Sequence, residues 1–366
     1  MVLKNLRKKR DFSYKDFYPQ SLVKFKRQKG LSVSVVVPTL NEEKTIGKLL
    51  KTIQTSLMVK DCPLVDELMV IDSGSADRTW KETKARGVRF LRSSQVYPEL
   101  KLKPAEGKGE NLWRSLFVAK GDLIVWIDAD VLKPHPAHVY GLLGPLLIND
   151  KIKFTKAYFP RYTQASGKRA KKPNGGRMTE ILARPTLNLI FPELVHLYQP
   201  CNGNVAGKKE VLRNLEFPTK YSVDLALAID IAMKYGPESI AQVYCPPFKQ
   251  EGQGLQALGK MSFQNMRTVL YKARDCGRLS FDKNLPSVLK QAQADSLGSF
   301  RWTTKELVEI IRAPVSQFDS LFSHQDKGFA SKPLILFKLN GIQAKLKEGL
   351  EGVLASISKP RRLALE

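Results

Sequence analysis

The stretch VSVVVPTLNEEKTIGKLLKTI, residues 33–53, decides the fold class of this chain. Its first six residues, VSVVVP, form an apolar run of strand length, which is typical of a strand buried on both faces. Asn41 is a plausible helix N-cap, and one helical face follows it at i, i+3, i+4 and i+7 spacing: Ile46, Leu49, Leu50 and Ile53. A buried strand that leads into an amphipathic helix indicates an α/β protein.

The same alternation of strand and helix continues along the chain. Strands are predicted at ELMVID (67–72), VRFLR (88–92) and DLIVWID (122–128), with helices between them at 75–87 and 108–121. This spacing predicts a mainly parallel sheet. The later part is less regular: 178–191 and 221–236 have helical character, 199–212 resembles a loop and short strand entering a helix, and residues after about 255 are expected to be helical.

Four parts are therefore predicted. They are a basic N-terminal arm (1–32) that packs or stays loose, an α/β half (33–150), a second half (151–260) and a helical C-terminal extension (261–366). The extension ends in a basic amphipathic tail.

The composition limits the classes of function. The 366 residues include 60 Lys+Arg and 35 Asp+Glu, a net charge of +25, which predicts an anionic partner. No zinc-finger, RNP-type or basic-zipper pattern accompanies this charge, so nucleic acid is not the expected partner. No apolar run approaches the roughly 20 residues of a transmembrane helix. The N-terminus does not resemble a secretory signal, and four widely spaced cysteines without a CxxC motif favour a reducing cytoplasm.

Three polar clusters follow predicted strands: Pro38–Asn41, Asp72–Ser75 and Asp128–Asp130. Ligands of parallel sheets bind at the carboxyl ends of the strands, so these clusters are expected to line one rim. Asp128 and Asp130, a D-x-D pair, can hold Mg²⁺ or Mn²⁺ against a diphosphate, because hard cations prefer carboxylate and phosphate oxygens. Asp72 could accept a hydrogen bond from a base or a ribose.

The stretch GKRAKKPNGGR, residues 167–177, places five Lys or Arg among glycines and holds no acid. Such a composition suits a loop that folds over a phosphate. Arg177 could grip a phosphate or carboxylate bidentately, and the Gly175-Gly176 pair would allow backbone N–H groups to approach it. The stretch therefore predicts an anionic substrate.

Seven segments occur in an order that resembles the glucosyl-3-phosphoglycerate synthase family of retaining GT-A glycosyltransferases. They are PTLNEEKTIGKLL, VIDSGSADRT, GKGENLWRSL, GDLIVWIDAD, GGRMTEILARP, QPCNGNVAGKKEVL and YSVDLALAIDIA. The resemblance covers roughly 33–260. It implies a GT-A (Rossmann-like) nucleotide-sugar-binding sheet, a mixed acceptor-binding part and a helical C-terminal extension. It also implies glucose transfer from an NDP-glucose, UDP-glucose foremost, to 3-phosphoglycerate with Mg²⁺ (or Mn²⁺ or Co²⁺), for glucosylglycerate synthesis in a cytoplasmic homodimer.

The resemblance also implies roles for particular residues. The nucleotide-sugar site would include Pro38, Leu40, Glu42, Ser73, Lys108, Asp128, Ala129 and Tyr221. The acceptor site would include Gly176, Arg177 and Thr179. The catalytic set would be Asp130, Lys108, Asp224 and Arg177, with Asp130 and Asp128 as metal ligands.

The chain departs from the family pattern in three places. Ala129 stands where a serine is expected, and Asp224 stands where a glutamate is expected. The segment CPPFKQEGQGLQALGKM (245–261) lacks the expected metal-ligating histidine and the basic acceptor contact beside it. Glu251 is the first choice to replace the histidine, and Gln250 and Gln253 remain alternatives.

The donor nucleotide (UDP, GDP or ADP) and the sugar (glucose or mannose) stay open at this point. One alternative function is a glycosyltransferase with another anionic or polyprenyl-phosphate acceptor. Another is a non-catalytic nucleotide-sugar or RNA-binding protein.

Overall fold

An eight-stranded mixed sheet forms the centre of the fold in a computed structural model of the chain. The structure describes residues 10–97, 100–103, 105–164, 176–251, 254–294 and 299–322. The chain divides into two units, Met1–Gln317 and Phe318–Glu366. The first unit contains the sheet and the candidate site.

The described strands are listed here in chain order. They are β1 (Asp11–Ser13), β2 (Val33–Thr39), β3 (Met58–Val59), β4 (Cys62–Pro63), β5 (Glu67–Asp72), β6 (Arg89–Arg92), β7 (Leu123–Trp126), β8 (Phe154–Tyr158), β9 (Arg161–Gln164), β10 (Val205–Lys208), β11 (Phe217–Pro218), β12 (Ile240–Tyr244), β13 (Phe248–Glu251), β14 (Val288–Ala294), β15 (Phe300–Glu306) and β16 (Ile311–Arg312).

The described helices are α1 (Pro19–Gln28), α2 (Ile46–Leu57), α3 (Thr79–Lys84), α4 (Lys108–Val118), α5 (Ala137–Ile148), α6 (Arg184–Ile190), α7 (Lys209–Leu212), α8 (Val223–Tyr235), α9 (Leu255–Asp275) and α10 (Asp319–Phe322). A π-helical turn, Thr179–Ala183, precedes α6 directly. Short 3₁₀ turns lie at Tyr14–Asp16, Ser93–Gln95, Pro192–Leu194, Pro237–Ser239 and Val315–Phe318.

The strands of the sheet lie in the order β1-β12-β8-β10-β7-β2-β5-β6. Strand β10 is antiparallel to β8 and to β7, whereas the other neighbouring pairs of this sheet are parallel. The prediction of a mainly parallel sheet is therefore confirmed. In the register of the central pair, Val35 lies beside Leu68 and Thr39 beside Asp72, so β2 and β5 end at the same edge.

The core lies on both faces of this sheet. All seven residues of β2 are buried, as its unbroken apolar run predicts. Helix α2 buries the predicted stripe of Ile46, Leu49, Leu50 and Ile53 against the sheet. The predicted cap is wrong: α2 begins at Ile46 and Thr45 precedes it, while Asn41 takes a φ of 59° in the preceding loop and accepts a hydrogen bond from the Ala76 N–H at 2.9 Å.

The basic arm packs rather than staying loose, in the part that is described. Strand β1 pairs in parallel with β12, with Asp11 beside Gln242. The side chains of Phe12, Phe17 and Leu22 are buried in the main core. Residues 10–28 therefore complete one edge of the sheet.

Within the described part of the extension predicted from residue 261, α-helix is found as far as Asp275, where α9 ends, and again at α10. The prediction is wrong for 288–312, where β14 and β15 form an antiparallel hairpin and β16 pairs with β11. The reason is local, because this stretch is rich in β-branched and aromatic residues, such as Trp302, Thr303 and Thr304, and lacks a helical apolar stripe. The predicted amphipathic tail lies outside the described residues.

No helix in the described ranges combines the length and the apolar character that crossing a membrane requires.

Candidate active site

A cavity of about 580 Å³ opens at the carboxyl edge of the sheet, where β2, β5 and β7 end. The strand ends supply one wall: Pro38, Thr39, Leu40, Glu42, Ser73, Asp128, Ala129 and Asp130. Two further walls come from α4 and from the first turn of α8: Gly107, Lys108, Asn111, Tyr221 and Asp224. The predicted nucleotide-sugar residues are thus brought together in one cavity.

The loops after β2 and β5 are fixed to each other. The Asp72 carboxylate accepts hydrogen bonds from the backbone N–H groups of Gly74 and Ser75, each at 2.8 Å, and from the hydroxyls of Thr39 and Ser75. Asp72 is 1% exposed. The idea that it accepts from a base or ribose is therefore wrong, because the carboxylate is buried and used to close the turn.

Asn111 of α4, which the sequence reasoning missed, connects the same two strand ends. Its side-chain amide donates to the Ile71 carbonyl at 2.9 Å, and its Oδ1 accepts from the Ser73 hydroxyl at 3.0 Å. The signal in the sequence was an asparagine directly after GKGE, at the start of the predicted helix. The contact sets the position of Ser73 at the cavity wall.

Lys108 lies at the centre of the site between two carboxylates. Its Nζ donates to Asp128 Oδ1 at 2.6 Å and to Asp224 Oδ2 at 3.0 Å. Burial alone would lower the pKa of this ammonium, but the charges of Asp128 and Asp224 outweigh that effect and raise the pKa above its ordinary value. Lys108 therefore stays cationic in the site.

One carboxylate oxygen of Asp224 has no hydrogen-bond partner among the described residues. The residue is buried, and this oxygen is Oδ1, while Oδ2 binds Lys108. Burial raises its pKa, and the nearby Lys108 acts in the opposite direction. A buried acceptor atom without a partner is costly. Asp224 lines the cavity, so a ligand hydroxyl that reaches this oxygen would remove the cost.

Gly203 is required by the close approach of Lys108. A Cβ at this position would lie 1.6 Å from Lys108 Nζ and 2.8 Å from both carboxylate oxygens of Asp128. The neighbouring Asn204 accepts the Asp128 N–H at 3.0 Å through its side-chain oxygen. The segment around CNGN therefore sets the shape of the lysine–carboxylate cluster, although the sequence reasoning assigned it no role.

A second buried lysine, Lys156 of β8, lies beneath the first turn of α8. Its Nζ donates to the backbone carbonyls of Asn202 at 2.9 Å and Asp224 at 3.1 Å. Burial lowers its pKa to about 8, although the Asp224 charge opposes this. A lysine inside the buried strand FTKAY was the signal in the sequence, and it was missed.

The remaining acids of the rim concentrate negative charge. Burial raises the pKa of Glu42 to about 7; a hydrogen bond from Thr45 opposes this, and the charges of Asp130, Asp77 and Asp128 add to it. Carboxylates that repel one another in this way suit a divalent cation between them. Asp128 and Asp130, separated by one residue, both line the cavity. Their carboxylate oxygens are ligands of the kind that Mg²⁺ and Mn²⁺ prefer.

Within the described ranges, no preformed group of three His, Cys, Asp or Glu side chains has metal-site geometry. For Glu251 and Gln250 the structure describes the backbone in β13, where Glu251 lies beside Gln164 of β9. Gln253 lies outside the described residues, as do Lys168, Arg169, Lys171, Lys172 and Gly175. The role predicted for Glu251 therefore stays a prediction.

The three predicted acceptor residues lie in and just before the π-helical turn, which contacts α9. Gly176 has a φ of +87°, Arg177 is exposed, and Thr179 is 5% exposed at the start of the π-helical turn. Met178 connects this turn to α9, because its Sδ accepts the hydroxyl of Ser262 at 3.1 Å. None of the three lines the cavity in its described part.

Helix α9 supplies a wall that the sequence reasoning did not assign to the site. Its residues at the cavity are Ala257, Lys260, Met261 and Gln264. These positions lie at one helical face, spaced i, i+3, i+4 and i+7. Leu307, after the hairpin, and Cys201 close the remaining sides.

Comparison with known proteins agrees with this geometry. Residues 34–214 match the family model described as "Glycosyl transferase family 2". The glucosyl-3-phosphoglycerate synthase of Petrotoga mobilis is 39% identical over 324 residues, 87% of this chain and 98% of that protein. The Mycobacterium tuberculosis protein of the same name is 41% identical over 250 residues, 68% of this chain and 74% of that protein.

Solved structures give the same result. The Mycobacterium tuberculosis glucosyl-3-phosphoglycerate synthase in complex with Mn²⁺, UDP and glucosyl-3-phosphoglycerate has a TM-score of 0.70 at 34% identity, covering 82% of this chain and 96% of that chain. Mannosyl-3-phosphoglycerate synthase from Rubrobacter xylanophilus has a TM-score of 0.77 at 30% identity, and the match covers 86% of this chain and 99% of that chain.

The sheet, the D-x-D rim and the cavity define a glycosyltransferase of the GT-A fold. Within this class, the chain belongs to the glucosyl-3-phosphoglycerate synthase family.

Proposed function

We propose that this chain is a hexosyltransferase that moves glucose from UDP-glucose to 3-phosphoglycerate with retention, giving glucosyl-3-phosphoglycerate for glucosylglycerate synthesis. The observation that carries the proposal is the Lys108 bridge between Asp128 and Asp224 at the strand ends. It places a permanent cation where a diphosphate leaves and an unpartnered carboxylate oxygen where a sugar hydroxyl can bind. Solved relatives hold UDP-glucose and phosphoglyceric acid together with Mn²⁺.

The nucleotide would lie along the ends of β2 and β5. Pro38 and Leu40 offer apolar surface to the base, and Leu40 is 49% exposed at the cavity. Glu42 and Ser73 offer polar atoms beside them. Ala129, 4% exposed, leaves room between the two aspartates.

Charge on the leaving group decides the rate of this step. Negative charge builds on UDP as the glycosidic bond breaks, and a fixed cation in a partly buried site stabilises that charge more than water does. Lys108 is the resident cation, since its pKa is raised and Gly203 gives it room. Asp128 and Asp130 would hold Mg²⁺ (or Mn²⁺ or Co²⁺), an ion that neutralises diphosphate oxygens when it is bound.

The sugar would be held by the first turn of α8. Asp224 Oδ1 can accept from a glucose hydroxyl, and Tyr221, half exposed at the cavity, can contact the ring. In a retaining transfer without a covalent sugar intermediate, the acceptor hydroxyl attacks from the face that UDP leaves. The leaving phosphate oxygen then takes the hydroxyl proton, so that the proton and the bond are both accounted for.

The acceptor would approach from the side of the π-helical turn. Gly176, Arg177 and Thr179 would bind its phosphate and carboxylate, because an exposed arginine beside a glycine with positive φ suits bidentate anion binding. This assignment divides most of the chain by function: residues 33–150 would bind the nucleotide and residues 151–260 the acceptor, with Tyr221 and Asp224 of the second half also contacting the glucose.

The expected oligomeric state and cellular compartment depend on residues outside the cavity. We expect a homodimer, because the hairpin of β14 and β15 exposes Phe300 and Trp302, each 75% exposed, which is unusual for a monomer surface. We expect a cytoplasmic protein, since all four cysteines are free thiols.

The test measures release of the nucleoside diphosphate with UDP-glucose, GDP-glucose or GDP-mannose, with and without 3-phosphoglycerate, in Mg²⁺ and in EDTA. Release from UDP-glucose that requires both 3-phosphoglycerate and the cation supports the proposal. Faster release from GDP-mannose would instead favour a mannosyl transfer, a candidate supported by the likeness to mannosyl-3-phosphoglycerate synthase. No release with any donor would overturn the function.

A further inference from the structure

Helix α9 brings a second lysine to the cavity. Lys260 is partly buried and lines the same space as Lys108. These two are the basic side chains that line the cavity in the described part of the chain.

The two lysines differ in their partners. Lys108 is held by Asp128 and Asp224. Lys260 forms no hydrogen bond or ion pair with any residue within the ranges that the structure describes. Its charge is therefore available to a ligand, whereas that of Lys108 is already shared by two carboxylates.

An anionic acceptor needs such a charge. Four acids line the cavity: Glu42, Asp128, Asp130 and Asp224. A molecule with a phosphate and a carboxylate would be repelled by them unless cations face it. In the proposed function, Lys108 would face the leaving diphosphate, and Asp128 and Asp130 would hold the divalent ion that neutralises it.

The position of Lys260 favours the acceptor over the donor. Ser262, two residues further along α9, donates to Met178 in the turn that carries Arg177 and Thr179. Helix α9 also packs on α8, the helix that carries Asp224. Lys260 therefore lies on the wall next to the acceptor-side turn, and the nucleotide residues lie on the strand-end wall.

We propose that Lys260 binds an anionic group of the acceptor and thereby sets the preference for a phosphorylated acid. This inference rests on the proposed function. A lysine suits the role, because its flexible stem carries a compact charge that can follow the acceptor into the transition state. It also supplies a positive charge from α9, whereas the segment 245–258 lacks the histidine and the basic acceptor contact that the family pattern places there.

The test compares K260Q, K260R and the control K283Q, an exposed lysine that does not line the cavity. We expect K260Q to raise the KM for 3-phosphoglycerate at least about tenfold, with the KM for UDP-glucose and the binding of UDP by calorimetry unchanged. K260R should recover most of the loss, and K283Q should match the unmodified chain. A structural role would instead change both KM values and the melting temperature.

Acceptor analogues show whether Lys260 binds the phosphate or the carboxylate of the acceptor. If Lys260 binds the phosphate, the loss in K260Q should disappear with D-glycerate; if it binds the carboxylate, the loss should disappear with glycerol 3-phosphate. An equal loss with all three acceptors, or a change in KM of less than twofold in K260Q, would overturn the inference. An unmodified chain that releases no UDP with 3-phosphoglycerate would overturn the proposed function itself, so the two failures are distinguishable.

Discussion

Two clusters of one lysine and two carboxylates each include an acid of helix α8, and they differ in what surrounds them. In the cavity cluster, Lys108 contacts Asp128 and Asp224. In the second cluster, Lys272 of α9 contacts Glu216 at 3.0 Å and Asp230 at 2.8 Å. Asp224 and Asp230 are both residues of α8, so one helix contributes an acid to each cluster.

The difference shows which buried charges serve a ligand. The Lys272 cluster joins α8, α9 and the loop before β11. It does not line the cavity in the described part of the chain. The Lys108 cluster lines the cavity and leaves Asp224 Oδ1 without a described partner. A lysine with two carboxylates joins packed elements in one place and lines a cavity in the other, where we expect it to bind a ligand.

The largest effect is expected for Asp130→Ala. Removing a carboxylate from the metal rim should lower kcat by about 10³-fold, because the charge on the leaving diphosphate loses its counterion. The free energy of unfolding should change by less than about 1 kcal/mol. Initial rates with Mg²⁺ and urea denaturation measure the two quantities. Asp282→Ala, at an exposed position, is the control, and near-normal kcat in Asp130→Ala would contradict the metal assignment.

Gly203→Ala should come next. The added Cβ would overlap Lys108 Nζ, so the lysine must move away from Asp128. A displacement of about 1 Å at a catalytic group costs about 10²-fold in rate. Turnover of UDP-glucose should fall accordingly. Gly254→Ala is the matched control, since a Cβ there meets nothing within 4 Å; equal loss in both variants would show that Gly203 has no particular role.

Lys272→Met should lower the stability of the fold and leave the catalytic rate nearly unchanged, the opposite of the effect expected for Asp130→Ala. The substitution leaves the Asp230 carboxylate buried without its lysine, which destabilises the fold. Glu216 is half exposed and adds little to this cost, so we expect the free energy of unfolding to fall by about 2 kcal/mol. The kcat should stay within about twofold, because the substitution is far from the reacting atoms. A tenfold fall in kcat with unchanged stability would show that the two clusters are not distinct in role.

The smallest effect concerns pH and Glu42. Its pKa in the folded chain is raised to about 7 from 4.5, chiefly by burial. Between these two values the folded chain binds more protons at this group than the unfolded chain, so stability falls as pH rises. Glu42→Gln removes this dependence. Without divalent ions, the variant should gain on the order of 1 kcal/mol relative to the unmodified chain between pH 4.5 and pH 7.

Urea denaturation at both pH values checks this expectation. The control is Glu43→Gln, because Glu43 has its pKa lowered by hydrogen bonds from Arg78. A Glu42→Gln variant with the same pH dependence as the unmodified chain would place the titration elsewhere.

Local pattern predicted the elements that hold the nucleotide side. The unbroken apolar run of β2 and the stripe of α2 fixed the fold class, and the polar residues at the strand ends predicted the rim. The short strand within 199–212 is confirmed as β10, and helical character is confirmed at 178–191 and 221–236. These features depend on neighbours within one or two turns of the chain.

The rest depends on packing between distant segments. Lys260 reaches the cavity only because α9 packs on α8 and beside Met178, and its own surroundings in sequence carry no sign of this. The case of Asp72 is different: three of its hydrogen bonds come from the nearby Gly74 and Ser75, and only its burial beside Thr39 of another strand depends on distant packing. The antiparallel direction of β10, a strand of four residues, also has no local signal.

The edge strand β1 sets an order of events during synthesis. The side-chain hydrogen bond between Gln242 and Asp11 spans 231 residues, and among the described strands β1 pairs with β12 alone. A ribosome that adds about 5–20 residues per second needs roughly 12–46 s to make that span. During this time β1 lacks the strand with which it pairs, whereas α1 and Phe17 can already pack on α5. A nascent chain stalled before residue 240 should therefore leave residues 10–13 open to protease.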